Sequence, residues 1–210
     1  MTTPTRGRPR SFDREAALDK ATRLFWARGY EATSIGDLTA AMGIGAPSLY
    51  AAFGDKATLF GEVVRSFGAR YGQFIPRALA EEPTAEAALR RCLRDAAAEY
   101  TRADCPHGCL VMTAGMNTNS GEIADMLREM RTRNLGLIAE RIQADVDAGL
   151  LAPETDARLL ARYVSTVMQG MSQAARDGAS QAELERVAEL AMYGWDQAAD
   201  TARMTTRGDK

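Results

Sequence analysis

From about Asp13 to about Asp200 the sequence offers one helical segment after another and no strand, and this constrains the fold more than any other feature. Ala, Leu, Glu, Arg and Met dominate, no stretch sustains apolar–polar alternation, and no Asn-Gly or Asp-Gly pair lies between strand-like runs. No internal repeat of a solenoid period is present. Start and stop signals divide the chain into nine expected helices. Asp13 suits the cap of a first helix, which Gly29 ends after Arg28, with Leu18, Ala21, Leu24 and Phe25 on one face. Ser34 and Asp37 make a capping-box start for a second, whose Ile35, Leu38 and Met42 share a face. Gly43-Ile44-Gly45 reads as a tight turn, and Pro47 suits the first position of a short third helix that Gly54 ends after Phe53. Asp55 caps a fourth, reaching about Tyr71. Beyond Pro76 and Pro83, helices are expected near 84–101, 108–117, 120–148 and 155–176, and a last one from the capping box Ser180…Glu183 to about Thr201. The expected fold is all-α. A basic arm at 1–12 precedes a three-helix unit at 13–54, a larger helical body at 55–203 and a frayed tail at 204–210.

With 46% hydrophobic and 26% charged residues the chain has ordinary globular composition. A net charge of −2 argues against a generally basic nucleic-acid coat protein, but the charge is unevenly placed. Residues 1–60 carry eight Lys/Arg against six Asp/Glu, and the remainder eighteen against twenty-two. A mildly basic head on an acidic body suits a DNA-contacting module attached to something else. Met1 to Arg10 is polar and basic, without the apolar stretch of a secretory leader, and no run approaches the roughly 18 apolar residues of a membrane span. Three cysteines (Cys92, Cys105 and Cys109) are an odd count, so a cytoplasmic location with free thiols is expected.

The segment from Ser34 to Phe53 meets the requirements of a helix-turn-helix: an anchored first helix, a glycine-bearing turn and a short second helix with a free face. In that second helix Leu49 and Phe53 are four apart and can face inward together. Ser48, Tyr50 and Ala51 then point away, and Gly45 and Ala46 lie at the end nearest the bases. Lys56 opposes the helix dipole at the first turn of the fourth helix, a placement that makes sense beside a phosphate; a solvated surface lysine is the plainer alternative. In the arm, Arg6-Gly7-Arg8-Pro9-Arg10 alternates arginine with residues that keep the chain extended. It can enter a narrow minor groove or simply raise nonspecific affinity.

The run Leu24-Phe25-Trp26-Ala27-Arg28-Gly29-Tyr30-Glu31-Ala32-Thr33-Ser34-Ile35, followed by Ile44-Gly45-Ala46-Pro47-Ser48-Leu49-Tyr50-Ala51-Ala52-Phe53-Gly54-Asp55-Lys56, resembles the signature of the TetR family of transcriptional regulators across about residues 10–62. The resemblance implies a ligand-responsive repressor that binds a palindromic double-stranded operator as a homodimer and is released by a small-molecule effector. It places Thr33, Ser34 and Lys56 on the DNA backbone, Tyr50 on a phosphate or a base, and Gly45, Ala46, Pro47 and Ala51 at the positions that set operator choice. This chain departs from the commoner pattern in having few side chains there for bidentate base readout. Preference for shape, thymine methyls or the arm follows from that.

In the body, the helices near 155–176 and 180–201 carry wide apolar arcs. The resemblance implies that they pair with a second copy through Tyr163, Val167, Met171, Leu184, Val187, Leu190, Ala191 and Trp195. Periodicity equally allows both helices to close the chain's own core. Ten methionines are many for this length, and flexible thioethers suit a pocket that repacks around apolar ligands, though a methionine stripe is also what ordinary core looks like. The resemblance implies a pocket among the fourth to eighth helices, for which Phe67, Tyr71, Phe74, Cys109, Met112, Met116, Met126, Met130 and Met168 are the candidates and a largely apolar effector the expectation.

Cys105-Pro106-His107-Gly108-Cys109 allows three readings. A closed zinc site needs a fourth ligand, and His107 is the only histidine, so no metal or cofactor is expected. A thiol sensor of oxidants or electrophiles would use Cys109, if the helix N-terminus and His107 lower its pKa. The plain reading is that Cys109 packs inward, as Cys92 does. An enzyme is disfavoured: no phosphate loop, serine elbow or HExxH motif is present, and a Cys109–His107 pair need not face each other.

Overall fold

The computed structural model describes residues 13–114 and 118–208, with side-chain detail through Trp195, and the arm arginines Arg6, Arg8 and Arg10 and the candidate Met116 lie outside the described residues. Among the described residues ten α-helices follow one another: α1 (Arg14–Arg28), α2 (Ile35–Met42), α3 (Ala46–Phe53), α4 (Lys56–Tyr71), α5 (Phe74–Glu81), α6 (Ala85–Tyr100), α7 (Leu110–Thr113), α8 (Gly121–Asp147), α9 (Ala157–Arg176) and α10 (Gln181–Gly208). The all-α expectation holds, with one helix more than the nine expected. The addition is α5. Pro76 reads as a breaker, but it is the third residue of that helix, within the first turn, where a backbone N–H has no intrahelical acceptor to lose. The helix expected at 108–117 is a single turn in the described residues, with Cys109 as its N-cap. The last helix runs on to Gly208, through most of the stretch expected to fray.

Local chemistry accounts for the head. Asp13, Ser34 and Asp55 each accept a backbone N–H at the start of α1, α2 and α4, and Ser34 with Asp37 completes the expected capping box. Gly43 closes α2 at φ 72, a left-handed conformation that a side chain rarely takes, and so allows the tight turn into α3. Phe25 sits edge-on to Phe60 with centroids 5.0 Å apart, and Tyr30 packs against both rings. Arg14 reaches the two carboxylate oxygens of Glu62 and lies over the Phe53 ring, tying α1 to α4 across the end of α3.

The head core does not stop at the head. Leu38, Leu49, Phe53, Leu59, Phe60 and Phe67 are continuous with Leu110, Val111, Ile123 and Leu127 of α7 and the first turns of α8. A second core joins α6, α8, α9 and α10 around Leu89, Leu93, Ile138, Ile142, Met168 and Trp195. Among the described residues that body core contains one buried charge. Asp145 on α8 is 3% exposed; it accepts the Ala85 N–H at 2.6 Å, adding to the Thr84 cap of α6, and pairs with Arg141 at 2.8 Å. Arg141 in turn donates to the Glu82 carbonyl.

Removing one partner of such a pair strands the other charge in the interior, so Asp145→Ala should lower unfolding free energy by about 3–5 kcal/mol. A urea denaturation midpoint unchanged from the parent protein would show that the pair does not hold α6 to α8.

Candidate nucleic-acid interface and internal cavity

In α3 the sequence dictates a two-faced helix. Leu49 and Phe53 are buried at 0% and 2% exposure against the head core, while Pro47, Ser48, Tyr50 and Ala51 face outward, Tyr50 half exposed. Gly45 is the N-cap and supplies no side chain to the helix's first amides, whereas α1, α2, α4, α6, α8 and α9 are all capped by side-chain oxygens. Ala46 is the first residue and Pro47 the second, one position later than the sequence suggested. The outward end of α3 therefore presents small residues and an uncapped positive dipole, an arrangement that attracts an anion and lets a backbone come close.

Around it, the other candidates divide. Ser34 is exposed at the amino end of α2, with its hydroxyl and N–H both engaged by Asp37. Those bonds hold the Asp37 carboxyl below the usual carboxylate range, helped by Arg28 at 3.0 Å. Thr33, expected on a phosphate, is fully buried and gives its hydroxyl to the Gly29 carbonyl at 2.7 Å. It stiffens the turn between α1 and α2, and its side chain is out of a phosphate's reach. Lys56, the first residue of α4, is half-buried with its ammonium 4.2 Å from the Tyr30 ring centre, a cation–π seat the sequence reading did not supply.

Behind the head, a cavity of about 510 Å³ opens between α4, α5, α7, α8 and α9. Of the candidate ligand residues, Phe67, Tyr71, Phe74, Cys109, Met112, Met130 and Met168 line it. Met126 does not; it lies about one turn nearer the head, against Gly61 in the core shared with α4. Trp26 was missed as a wall. It is at the end of α1, packs edge-on to Phe67 and Tyr71, and donates its indole N–H to the Gly108 carbonyl at 3.2 Å.

The loop carrying Cys105, His107 and Cys109 is clasped between the head and α9. Arg176 of α9 donates to the carbonyls of Trp26 and Ala27 in the last turn of α1, His107 Nδ1 faces the Ala175 carbonyl at 3.2 Å, and Cys109 N–H donates to Ser172 Oγ at 2.9 Å. Gly108 makes the approach possible: at φ 80, a Cβ there would fall 2.7 Å from the Ser172 carbonyl oxygen. Burial pushes the Cys109 and Cys105 thiols up, and Cys92 up to about 12. Burial of Cys109 works against the lowered pKa that a thiol sensor there requires, and His107 is turned to α9. All three cysteines are free, and among the described residues no group of three or more His, Cys, Asp or Glu is placed to hold a metal. No helix among the described residues is long and apolar enough to cross a membrane.

On the far side, the residues expected at an interface between copies fall into two sets. Met171, Leu184, Ala191 and Trp195 are buried in this chain's own body core, and Tyr163 donates its hydroxyl to the Ala191 carbonyl at 2.9 Å. Val167 is partly buried against the same core. Those buried in the core close α9 on α10 and are unavailable to a partner. Val187 and Leu190 remain outside, joined by Leu159 and Tyr193, four large apolar side chains exposed by 43–70%.

Family models match along almost the whole described chain. One for bacterial regulatory proteins of the tetR family matches residues 17–63, and one for a tetracyclin repressor-like C-terminal domain matches residues 63–191. The transcriptional repressor ComR of Escherichia coli K12 is 38% identical over 199 residues, covering 92% of this chain and 93% of ComR. The repressor BdcR of the same organism is 31% identical over 189 residues, covering 88% and 90%. Among solved structures, a cysteine mutant of the TetR family regulator CifR, complexed with 26 bp double-strand operator DNA, superposes with a TM-score of 0.84 at 38% identity, covering 90% of this chain and 100% of that one.

Proposed function

Since the chain belongs to the TetR family of bacterial transcriptional regulators, we propose that it is a cytoplasmic homodimeric repressor whose two α3 helices enter successive major grooves of a palindromic operator and whose internal cavity takes the releasing effector. Repressors of this family bind operator DNA and respond to small molecules. The observation that carries the reading is the outward face of α3, with its uncapped amino end, small residues and half-exposed Tyr50. A phosphate at that amino end, with the Ser34 turn and Lys56 on either side, would meet amides and a cation together. The likeness to a regulator solved on operator DNA supports the same orientation. With no arginine or lysine on α3 itself, readout falls to apolar contacts with thymine methyls, to DNA shape and to the arm at Arg6, Arg8 and Arg10.

Two copies are needed because one short recognition helix supplies few contacts. The exposed Leu159, Val187, Leu190 and Tyr193 on α9 and α10 form the apolar face that a second copy would cover. The effector reading rests on Trp26, which is at once a wall of the cavity and the last turn of α1. A ligand that repositions Trp26 or the Gly108 loop moves the head relative to α9, so ligand and operator disfavour each other reciprocally.

Footprinting on DNA flanking the gene should reveal a two-fold symmetric site that a metabolite panel releases; the absence of protection at low salt removes the DNA-binding reading. Lys56→Ala should weaken binding to all duplexes and flatten the salt dependence by about one unit of slope per head, and an unchanged slope would place Lys56 on Tyr30 alone. Leu190→Glu should raise the dimer dissociation constant about tenfold or more in sedimentation experiments, whereas an unaltered dimer would put the interface elsewhere.

A further inference from the structure

The cavity that the effector reading uses is apolar in its walls but cationic in its charge. Trp26, Phe67, Tyr71, Phe74, Met112 and Met168 supply aromatic and thioether surface, while five arginines line the same space against a single carboxylate, Glu99. Glu99 is already engaged by Arg102 at 3.3 Å. Such an excess of one sign in a chain of net charge −2 is not a general property of its surface.

Arg131 is the residue that gives the excess a direction. It stands near the middle of α8, half-buried, and its Nη1 donates to the Val111 carbonyl at 2.8 Å. A guanidinium carries five N–H donors in a planar fork, and among the described residues Arg131 pairs with no carboxylate. Nearby groups do not compensate for it. Burial and the like charge of Arg128 both work against its protonated form, and Arg128 is itself turned to Asp125. The neighbouring Cys109 thiol, raised by desolvation, stays neutral and supplies no internal anion. Partial burial of a cation without a counter-charge is costly and is offset when an anion fills the fork.

We infer that the cavity is built for an amphipathic anion, an apolar ring system or chain lying among Trp26, Phe67, Tyr71 and Met168 with a carboxylate, phosphate or sulfonate seated on Arg131. The inference rests on the cavity being the effector site and replaces the expectation of a largely apolar effector with a charged one. The arginines at the rim, Arg128 and Arg162 among them, draw the head group in, and Arg131 orients it. The volume of about 510 Å³ suits a ligand of some two fused rings or a medium-length chain.

The test uses the full chain and two dyes that share one aromatic body, 8-anilinonaphthalene-1-sulfonate and the uncharged N-phenyl-1-naphthylamine, in fluorescence titrations. The sulfonate should bind more tightly, and Arg131→Gln should weaken it about tenfold or more, as loss of a charged hydrogen bond does, while changing the neutral dye less than about twofold. Decanoate should displace the sulfonate from the unaltered protein where decan-1-ol does not, a comparison that holds even if Arg131→Gln fails to fold. Equal binding of the two dyes, an unchanged sulfonate affinity in Arg131→Gln, or equal displacement by the alcohol overturns the anion site. Duplex binding with and without the sulfonate separates the two readings. Arg131-dependent dye binding with unaltered DNA affinity keeps the anion site and removes its effector role, whereas a fall in DNA affinity upholds both.

Discussion

Beside the core they share with α7 and α8, the amino-terminal helices are held to α9 and the Gly108 loop by a polar clasp at the end of α1. There the indole N–H of Trp26 meets the Gly108 carbonyl, and the guanidinium of Arg176 meets the carbonyls of Trp26 and Ala27. A helix C-terminus leaves its last carbonyls without intrahelical donors, and here an arginine from the body satisfies them while complementing the negative end of the dipole. Gly108 sits at the centre of this contact and tolerates no side chain. The head is therefore not a bead on a linker. Its core runs into α7 and α8, and a shift of the loop at Gly108 is transmitted through close-packed atoms rather than through a hinge.

What could be read in the sequence was what depends on neighbours three or four residues apart. The caps at Asp13, Ser34, Asp55 and Ser180, the turn at Gly43 and the inward pair Leu49 and Phe53 are all of that kind, and all are realised. The contacts that were missed depend on tertiary path. Trp26 and Gly108 are 82 residues apart, and Arg176 and Trp26 are 150 apart. Asp145 caps α6 from 60 residues away. Thr33 carries the side chain expected of an exposed contact, yet the turn after Gly29 folds it inward. For α9 and α10, periodicity showed a wide apolar arc but not its division, most of it against the chain's own core and Leu159, Val187, Leu190 and Tyr193 outside it.

Charge had the same limit. The sequence showed a basic head on an acidic body, and α3 adds no cation to that head's outward face. On the proposed reading, attraction of a polyanion to α3 would rest instead on amides and dipole, while the Asp37 carboxylate of α2 is offset by Arg28. A face of that kind favours close fit over long-range steering, because a helix dipole falls off within a turn while a lysine cluster reaches about a Debye length.

The cavity reverses the balance. Arginines that look like solvated helix decoration in the sequence gather around one space because α4, α8 and α9 converge there, and a methionine and aromatic lining makes their charge more costly to leave unpaired. Trp26 belongs to that lining and to the α1 terminus that Arg176 holds. An anion drawn to Arg131 would therefore settle against a residue whose position also fixes the head. Recognition of a charge in the body and the set of α3 on a duplex are two demands on one indole ring, and the two need not be met by the same position.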